Sequence, residues 1–187
     1  MKIVYLMMAD GTEECEALIA VDLLRRAGVD VRTVSINKSA EIVSSHNIRI
    51  HTDLTFDQVD FEDGEMLVLP GGMPGTKYLD EHTGLSAVID RYASQDKWLA
   101  AICAAPSILG KKGLLSGMVA TSFPSFADQL EGASYSGKPV ELDSDKKIIT
   151  GKGLGASIPF SLKLIEVLLD RETAEAVGDA IHYDCDY

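Results

Sequence analysis

The sequence contains few cysteines, and none of them forms a CxxC pair. Only three of its 187 residues are cysteine, at Cys15, Cys103 and Cys185. An odd and sparse set argues against a disulfide framework and favours a reducing compartment. We therefore expect a cytoplasmic protein without a structural metal site.

Basic residues are also scarce, and long apolar runs are missing. The chain has 17 Lys and Arg against 29 Asp and Glu, a formal net charge of −12 at pH 7. A chain this acidic repels a phosphate backbone unless a basic patch is segregated, and none is visible. No stretch approaches the length of a membrane helix, and the N-terminus lacks a signal-peptide pattern. The composition argues against nucleic acid and membrane partners and leaves a small molecule or another protein.

Apolar runs of strand character alternate along the chain with stretches of helical period. Strands that are apolar at every position belong to a parallel sheet covered by helices. The pattern predicts one α/β domain over residues 1–187, doubly wound, with a mostly parallel sheet and helices on both faces. The polar stretches Glu41–Asp53 and Lys138–Lys147 are predicted to form hairpins, the second with its turn at Asp143–Asp145. Strands are predicted at Ile3–Met8, Val29–Val34, Met66–Leu69, Trp98–Ile102, Val119–Thr121 and Ile148–Thr150, and helices at Glu14–Ala27, Leu85–Ser94, Ala104–Lys112 and Ala156–Leu169.

In such a sheet, ligands bind beyond the carboxyl ends of the strands. The segment KWLAAICAAPSILG contains one of these ends, because Cys103 directly follows the predicted strand Trp98–Ile102. A sharp strand-to-helix turn with small neighbours is also found at the nucleophile elbow of hydrolases, and a helix N-terminus favours a thiolate of lowered pKa. The segment alone leaves two interpretations open, a reactive thiolate or a small buried thiol packed at a crossover.

Two further loops end at the same edge of the predicted sheet. In LVLPGGMPG, the amide groups of Gly71 and Gly72 are either oxyanion donors near Cys103 or part of an ordinary turn. In MADGTEECEAL, the acids Glu13, Glu14 and Glu16 open the first helix.

Acids at a helix start suit capping by Asp10 or Thr12. The alternative is that one carboxyl lies beside Cys103, with its pKa raised because two like charges repel. This loop lacks GxGxxG and GxxxxGK[ST], which disfavours NAD, flavin and ATP, so no cofactor is predicted.

The segments ADGTEECEA, LPGGMPG, AAICAAP, TSFP and GKGLGAS, in this order, resemble the ThiJ/PfpI superfamily. The resemblance is closest to the branch that contains the Parkinson's-disease deglycase and the bacterial ThiJ-like proteins, and it extends from Met1 to about Leu169. It implies a flavodoxin-like sandwich and a homodimer. The resemblance does not define the tail 171–187, and the end of this tail, Ala180–Tyr187 with the sequence AIHYDCDY, has no counterpart in the family. It either folds over a neighbour's cleft or frays, and we expect it to fray.

The resemblance also implies roles for individual residues. Cys103 aligns with the nucleophile and Glu16 with the cleft glutamate. Gly72 and Ala104 align with the backbone donors, and Gly71 lies next to them. Further site-lining positions are Arg25 and Arg26, which align with arginines near the dimer interface, and Phe123, which stands where that branch has histidine.

Three functions follow as hypotheses. In the first, Cys103 attacks a small reactive carbonyl such as a 2-oxoaldehyde and Glu16 moves protons, a cofactor-independent reaction of the glyoxalase or deglycase type. In the second, the protein is a non-catalytic redox sensor whose cysteine oxidises to sulfinic acid. The third, a cysteine peptidase or amidase, needs a histidine beside Cys103, and the sequence gives no such pair; His182 or a histidine of a partner subunit would have to supply it.

Overall fold

A computed structural model describes residues 2–184, which form eleven strands, six α-helices and three short 3₁₀ helices. The strands are β1 (Ile3–Met8), β2 (Asp30–Ser35), β3 (Glu41–Val43), β4 (Arg49–His51), β5 (Leu54–Thr55), β6 (Met66–Leu69), β7 (Trp98–Ile102), β8 (Val119–Ala120), β9 (Ser134–Tyr135), β10 (Val140–Asp143) and β11 (Ile148–Gly151). The helices are α1 (Glu14–Arg26), α2 (Gly75–Glu81), α3 (Thr83–Ser94), α4 (Pro106–Lys111), α5 (Ser157–Leu168) and α6 (Arg171–Ala180).

Seven strands form the central sheet in the order β10-β11-β7-β6-β1-β2-β5. All neighbours in it are parallel except β10, which pairs antiparallel with β11 at one edge. This arrangement confirms the predicted doubly wound α/β fold with a mostly parallel sheet. It brings the carboxyl ends of β1, β6, β7 and β11 to one edge, where ligands of such folds bind.

A hydrophobic core lies on each face of the sheet. Side chains alternate between the faces along a strand, so Leu6 and Met8 of β1 belong to one core and Tyr5 and Met7 to the other. The first core also receives the buried residues of α1, α5 and α6, and the second those of α3 and α4. Helices therefore cover both faces, as the continuous apolar strands predicted.

Two predicted strand positions differ from the structure. The strand predicted at Val119–Thr121 does not join the central sheet, because β8 pairs with β9 in a separate two-stranded sheet. The second polar hairpin is shifted, since β10 returns as the apolar β11 rather than within Lys138–Lys147. The first hairpin is confirmed by the antiparallel pairing of β3 and β4.

The segment after α5 forms a further helix, α6, that completes one core. Ala174 and Val177 are buried there against α5. The Tyr183 backbone N–H donates to the Gly178 carbonyl at 3.0 Å and that of His182 to Asp179, so the chain is hydrogen-bonded past the helix end rather than frayed. The last part of the predicted tail, residues 185–187 with Cys185, lies outside the described residues. Between residues 2 and 184, no helix has both the length and the apolar character needed to cross a membrane.

Candidate active site

Four separate segments meet at the carboxyl edge of the sheet. Glu16 comes from the first turn of α1, Gly71 follows β6, Cys103 follows β7, and Gly153 follows β11. A side-chain carbon at either glycine would lie within 4 Å of both Cys103 Sγ and a Glu16 carboxyl oxygen. The structure therefore brings together the cysteine and the glutamate that the sequence singled out.

Cys103 occupies a sharp turn between β7 and α4 in a left-handed conformation, with φ of 65°. For a residue other than glycine this costs about 1–3 kcal/mol, and it persists only where neighbouring bonds hold it. Here the Cys103 N–H donates to the Gly151 carbonyl at 3.0 Å, and the Phe123 N–H donates to the Cys103 carbonyl at 2.8 Å. The elbow predicted from KWLAAICAAP is therefore present, and it leaves the cysteine partly exposed.

Gly71 allows the thiol and the carboxyl to approach each other. A Cβ at this position would lie 2.5 Å from Cys103 Cβ and 2.6 Å from Glu16 Oε2, closer than any side-chain carbon can approach. Its N–H donates to Glu16 Oε2 at 2.9 Å. The glycine pair is thus a close backbone approach rather than an ordinary turn.

The backbone of Glu16 and one of its carboxyl oxygens are held by hydrogen bonds to Glu13 and Gly71. The Glu16 backbone N–H donates to Glu13 Oε2 at 2.6 Å, which makes Glu13 the N-cap of α1. The side chain is 1% exposed, and among the described residues Oε1 has no hydrogen-bond partner of good geometry. The Cys103 thiol is the neighbouring group that interacts with this carboxyl.

Burial raises the pKa of Glu16 to about 7, since a desolvated carboxylate is disfavoured. The negative charge of Glu13 acts in the same direction, whereas hydrogen bonds from Cys103 and from the Gly71 N–H lower the pKa. The raised carboxyl pKa therefore has the predicted direction, although burial is its main cause. Glu16 changes its protonation near neutral pH, where a proton-transfer group is most effective.

The predicted lowering of the Cys103 pKa is wrong. Burial raises it first, and the charge of ionised Glu16 and the hydrogen bond to its carboxyl raise it further, to about 12. Backbone N–H groups of Ala104 and Gly72 bond to the sulfur and lower the pKa, but they are outweighed. The helix after the cysteine has only six residues. The thiol therefore needs a base to ionise at neutral pH, and Glu16 is within its reach.

The donors around the sulfur are those that the sequence suggested. The amides of Gly72 and Ala104 point at Cys103 Sγ from two different loops. Oriented amide groups of this kind stabilise negative charge that develops on or next to the atom they face. The arrangement is suited to nucleophilic attack by sulfur.

Histidines are engaged elsewhere in the part of the chain that the structure describes. The Nδ1 atom of His46 pairs with Glu14, that of His51 bonds the Thr52 carbonyl, and that of His82 accepts the Leu85 N–H. His182 lies in the turn after α6. Within residues 2–184, then, the structure offers no Cys–His pair for a peptidase.

Arg25 and Arg26 do not line this cleft in the chain. They lie in the last turn of α1, roughly 13 Å along the helix from Glu16. Arg25 pairs with Asp53 at 2.8 Å, and Arg26 pairs with Asp22 at 2.7 Å. They were named because they align with arginines near the family's dimer interface, and within one chain they occupy the end of α1 opposite to Glu16.

Two residues beside the reactive pair have roles that the sequence did not predict. Glu13 caps α1, whereas Asp10 accepts the Val43 N–H and Thr12 accepts the Ala9 N–H. Gly153 forms one wall of the cleft, and its φ of 155° is one that other residues rarely adopt. In the sequence, Gly153 was marked only by its place in GKGLGAS, one of the five segments that carry the family resemblance.

A cluster at the start of α1 contains potential metal ligands. Atoms of Glu13, Glu14 and His46 lie within 4.8 Å of one another. They already satisfy one another and the backbone, because His46 Nδ1 lies 2.8 Å from Glu14 Oε1, Ser45 donates to Glu14, and Glu13 caps the helix. These contacts account for the cluster without an ion.

The fold and the cleft define a class, the flavodoxin-like α/β proteins with a cysteine–glutamate pair at the end of the central strands. The chain belongs to the DJ-1/PfpI family, whose model matches residues 2–167. It is similar to Protein DJ-1 homolog A of Arabidopsis thaliana, with 33% identity over 181 residues, 96% of this chain. It spans only 46% of that plant protein's length.

Two further similarities extend over nearly the whole of both proteins. The Glutathione-independent glyoxalase DJ-1 of Schizosaccharomyces pombe is 28% identical over 184 residues, covering 93% of this chain and 95% of the relative. The solved structure of oxidized Toxoplasma gondii DJ-1 superimposes with a TM-score of 0.93 at 33% identity, covering all of both chains. These neighbours support the flavodoxin-like α/β fold that the resemblance implied.

The buried carboxyl of Glu16 predicts a pH-dependent stability. The folded chain holds this proton up to about pH 7, whereas the unfolded chain releases it near 4.5. Stability is therefore lost as the pH rises through this window, by about 3 kcal/mol in total. In Glu16→Gln the loss is absent, so the variant should match the wild type near pH 4.5 and exceed its free energy of unfolding at pH 8.

Urea unfolding at a series of pH values measures this difference. Glu131→Gln, at an exposed glutamate, is the matched control and should follow the wild-type curve. Parallel curves for Glu16→Gln and the wild type would show that Glu16 titrates as an ordinary carboxyl.

Proposed function

We propose that the protein is a cofactor-independent enzyme that converts small 2-oxoaldehydes to 2-hydroxy acids. The observation that carries this proposal is the contact between the Cys103 thiol and the buried Glu16 carboxyl, whose pKa is raised to about 7. The name of the fission yeast relative, a glutathione-independent glyoxalase, supports the same reaction.

The first step is the attack of Cys103 Sγ on the aldehyde carbon. Because the thiol pKa is high, ionised Glu16 accepts the thiol proton as the carbon–sulfur bond forms. The aldehyde oxygen becomes an oxyanion on the carbon that is bonded to Sγ. The amides of Gly72 and Ala104, which face the sulfur, stabilise this charge. Protonated Glu16 then returns its proton to the oxyanion, giving a hemithioacetal.

The later steps use the same carboxyl. Ionised Glu16 removes the proton from the former aldehyde carbon, which the neighbouring ketone acidifies, and the ketone oxygen takes up a proton to give an enediol. Glu16 then delivers its proton to the former ketone carbon, while the hydroxyl on the sulfur-bearing carbon loses its proton and becomes the thioester carbonyl. The product is a thioester of a 2-hydroxy acid, and water cleaves it to release the acid and the thiol. The net reaction consumes one water and needs no external oxidant or reductant.

Purified protein should convert methylglyoxal to lactate, and Cys103→Ser should lower the rate to that of buffer. Glu16→Gln should reduce kcat by about 10²- to 10⁴-fold, the usual share of a general acid–base. For the wild type, kcat/KM should rise as pH increases towards 7 and then level off, because Glu16 must be ionised before it can accept the proton. Lactate formation measured by chromatography tests this, and unchanged turnover by Cys103→Ser would contradict the proposal.

A second candidate function is oxidation sensing at the same cysteine. The amides around Sγ and a protonated Glu16 are suited to bind the oxygens of a sulfinate. Cys15 is more exposed, and burial and the charges of Glu13, Glu14 and Glu16 raise its pKa as well. The preference for Cys103 rests instead on Glu16, which can accept its thiol proton, and on the amides that face its sulfur. The solved Toxoplasma gondii relative is in an oxidized form.

Mild peroxide should therefore add two oxygen atoms to Cys103 before it modifies other cysteines. Peptide mass spectrometry locates the oxygens, and Cys15→Ser serves as the control that should change nothing. If Cys15 or Cys185 reacts first, the sensing function is rejected and the enzymatic proposal is unaffected.

We further propose that the protein acts in the cytoplasm as a homodimer. Free Cys15 and Cys103 suit a reducing compartment. One apolar patch is lined by Leu18 of α1, which is 42% exposed, and by Ile48 in the turn between β3 and β4, which is 49% exposed. Ile158 of α5 and Ile181 after α6 lie beside them. Because the family resemblance implies a homodimer, we propose that a second copy of the chain covers this patch.

Leu18→Glu should convert the dimer to a monomer, since a charge in the centre of an apolar interface is costly. Size-exclusion chromatography with light scattering measures the mass. Leu169→Glu, which alters a leucine that is 39% exposed at the end of α5, is the matched control. Wild-type protein that elutes as a monomer at micromolar concentration would contradict the proposal.

A further inference from the structure

An apolar pocket adjoins the reactive pair. It has a volume of about 430 Å³, within the range of small-molecule sites and far larger than a three-carbon dicarbonyl requires. Among the described residues that line it, Lys152 is the one that carries a charge. The pocket is lined by Phe123, Pro124, Pro139, Lys152, Gly153, Leu154, Gly155 and Ala156.

Gly153 lies between this pocket and the pair formed by Cys103 and Glu16. The point where its missing Cβ would stand lies 3.8 Å from Cys103 Sγ, 3.9 Å from Glu16 Oε1 and 3.5 Å from Cδ2 of the Phe123 ring. A substrate carbon bonded to Sγ therefore has open space that leads towards the Phe123 ring. The hydrogen bond from the Phe123 N–H to the Cys103 carbonyl holds the backbone of Phe123 next to the backbone of Cys103.

The rim of the pocket consists of two large apolar side chains that the chain itself leaves uncovered. Phe123 is 49% exposed and Leu154 is 51% exposed, on opposite loops of the same opening. Covering such groups is favourable by about 25 cal/mol for each Å² removed from water. A ligand with a bulky apolar group gains this energy, whereas methylglyoxal presents only a methyl group.

We propose that Phe123 is the specificity-determining residue of the site and that the pocket selects 2-oxoaldehydes whose ketone carries a large apolar group, an aromatic ring above all. This inference rests on the proposed function and names its substrate class. The reaction stays the same: Sγ bonds to the aldehyde carbon, Glu16 transfers the proton, and the ring occupies the pocket between Phe123 and Leu154.

The experiment compares phenylglyoxal with methylglyoxal by the formation of mandelate and lactate. The wild type should favour phenylglyoxal over methylglyoxal in kcat/KM by about tenfold or more, and Phe123→Ala should bring the ratio of the two kcat/KM values close to one. Phe123→Leu, which keeps an apolar side chain, should retain part of the preference. Tyr78→Ala, at an aromatic residue that is 42% exposed on α2 and outside this pocket, is the matched control.

A second measurement does not depend on turnover. Mandelate should protect Cys103 from alkylation by iodoacetamide at a lower concentration than lactate does, and Phe123→Ala should abolish the difference. Turnover of methylglyoxal without a preference for phenylglyoxal would overturn this inference and leave the proposed function intact. If mandelate protects Cys103 better than lactate but neither aldehyde is turned over, the proposed function is rejected, while the preference of the pocket for an aromatic ring is supported. If Phe123→Ala alters only the oligomeric state, the pocket is an interface and the inference is wrong.

Discussion

The cleft depends on the burial of a carboxyl beside a thiol. Glu16 and Cys103 lie under the backbone of Gly71, where no side chain fits between them. Burial keeps the Glu16 proton bound up to about pH 7, and ionised Glu16 holds the proton on the sulfur. Each group thereby controls the charge of the other, so the two titrate as a pair. The left-handed turn at Cys103 and the cap of α1 both serve to hold this contact.

Burying the Glu16 carboxyl beside the Cys103 thiol lowers the free energy of unfolding of the protein when Glu16 is ionised. Removing a carboxylate from water without a charged partner is unfavourable, and Glu13 adds a second negative charge nearby. The two core clusters on the faces of the sheet supply the stability that compensates for it. A buried carboxyl without a charged partner is unfavourable for folding, and arrangements of this kind are expected at functional sites.

The sequence predicted the parts of the structure that local patterns govern. Apolar runs located β1, β6 and β7 to the residue, and the motifs located Glu16 and Cys103 at the same edge. Long-range packing governs the rest. The pKa of Cys103 depends on burial that no local pattern records, and β8 leaves the central sheet because it pairs with β9. Arg25 turned out to pair with Asp53 at the far end of α1, a partner that is distant in sequence.

The site is assembled from residues that are far apart in the chain. Glu16, Gly71, Cys103 and Gly153 follow different strands, and β11 must dock beside β7 before the last of them arrives. Contacts of such large sequence separation form late and slowly. In a nascent or partly folded chain, Cys103 therefore does not yet lie beside Glu16, and the two groups meet only when the sheet is complete. The proximity of the thiol to the carboxyl is in this sense a property of the complete fold and of none of its separate segments.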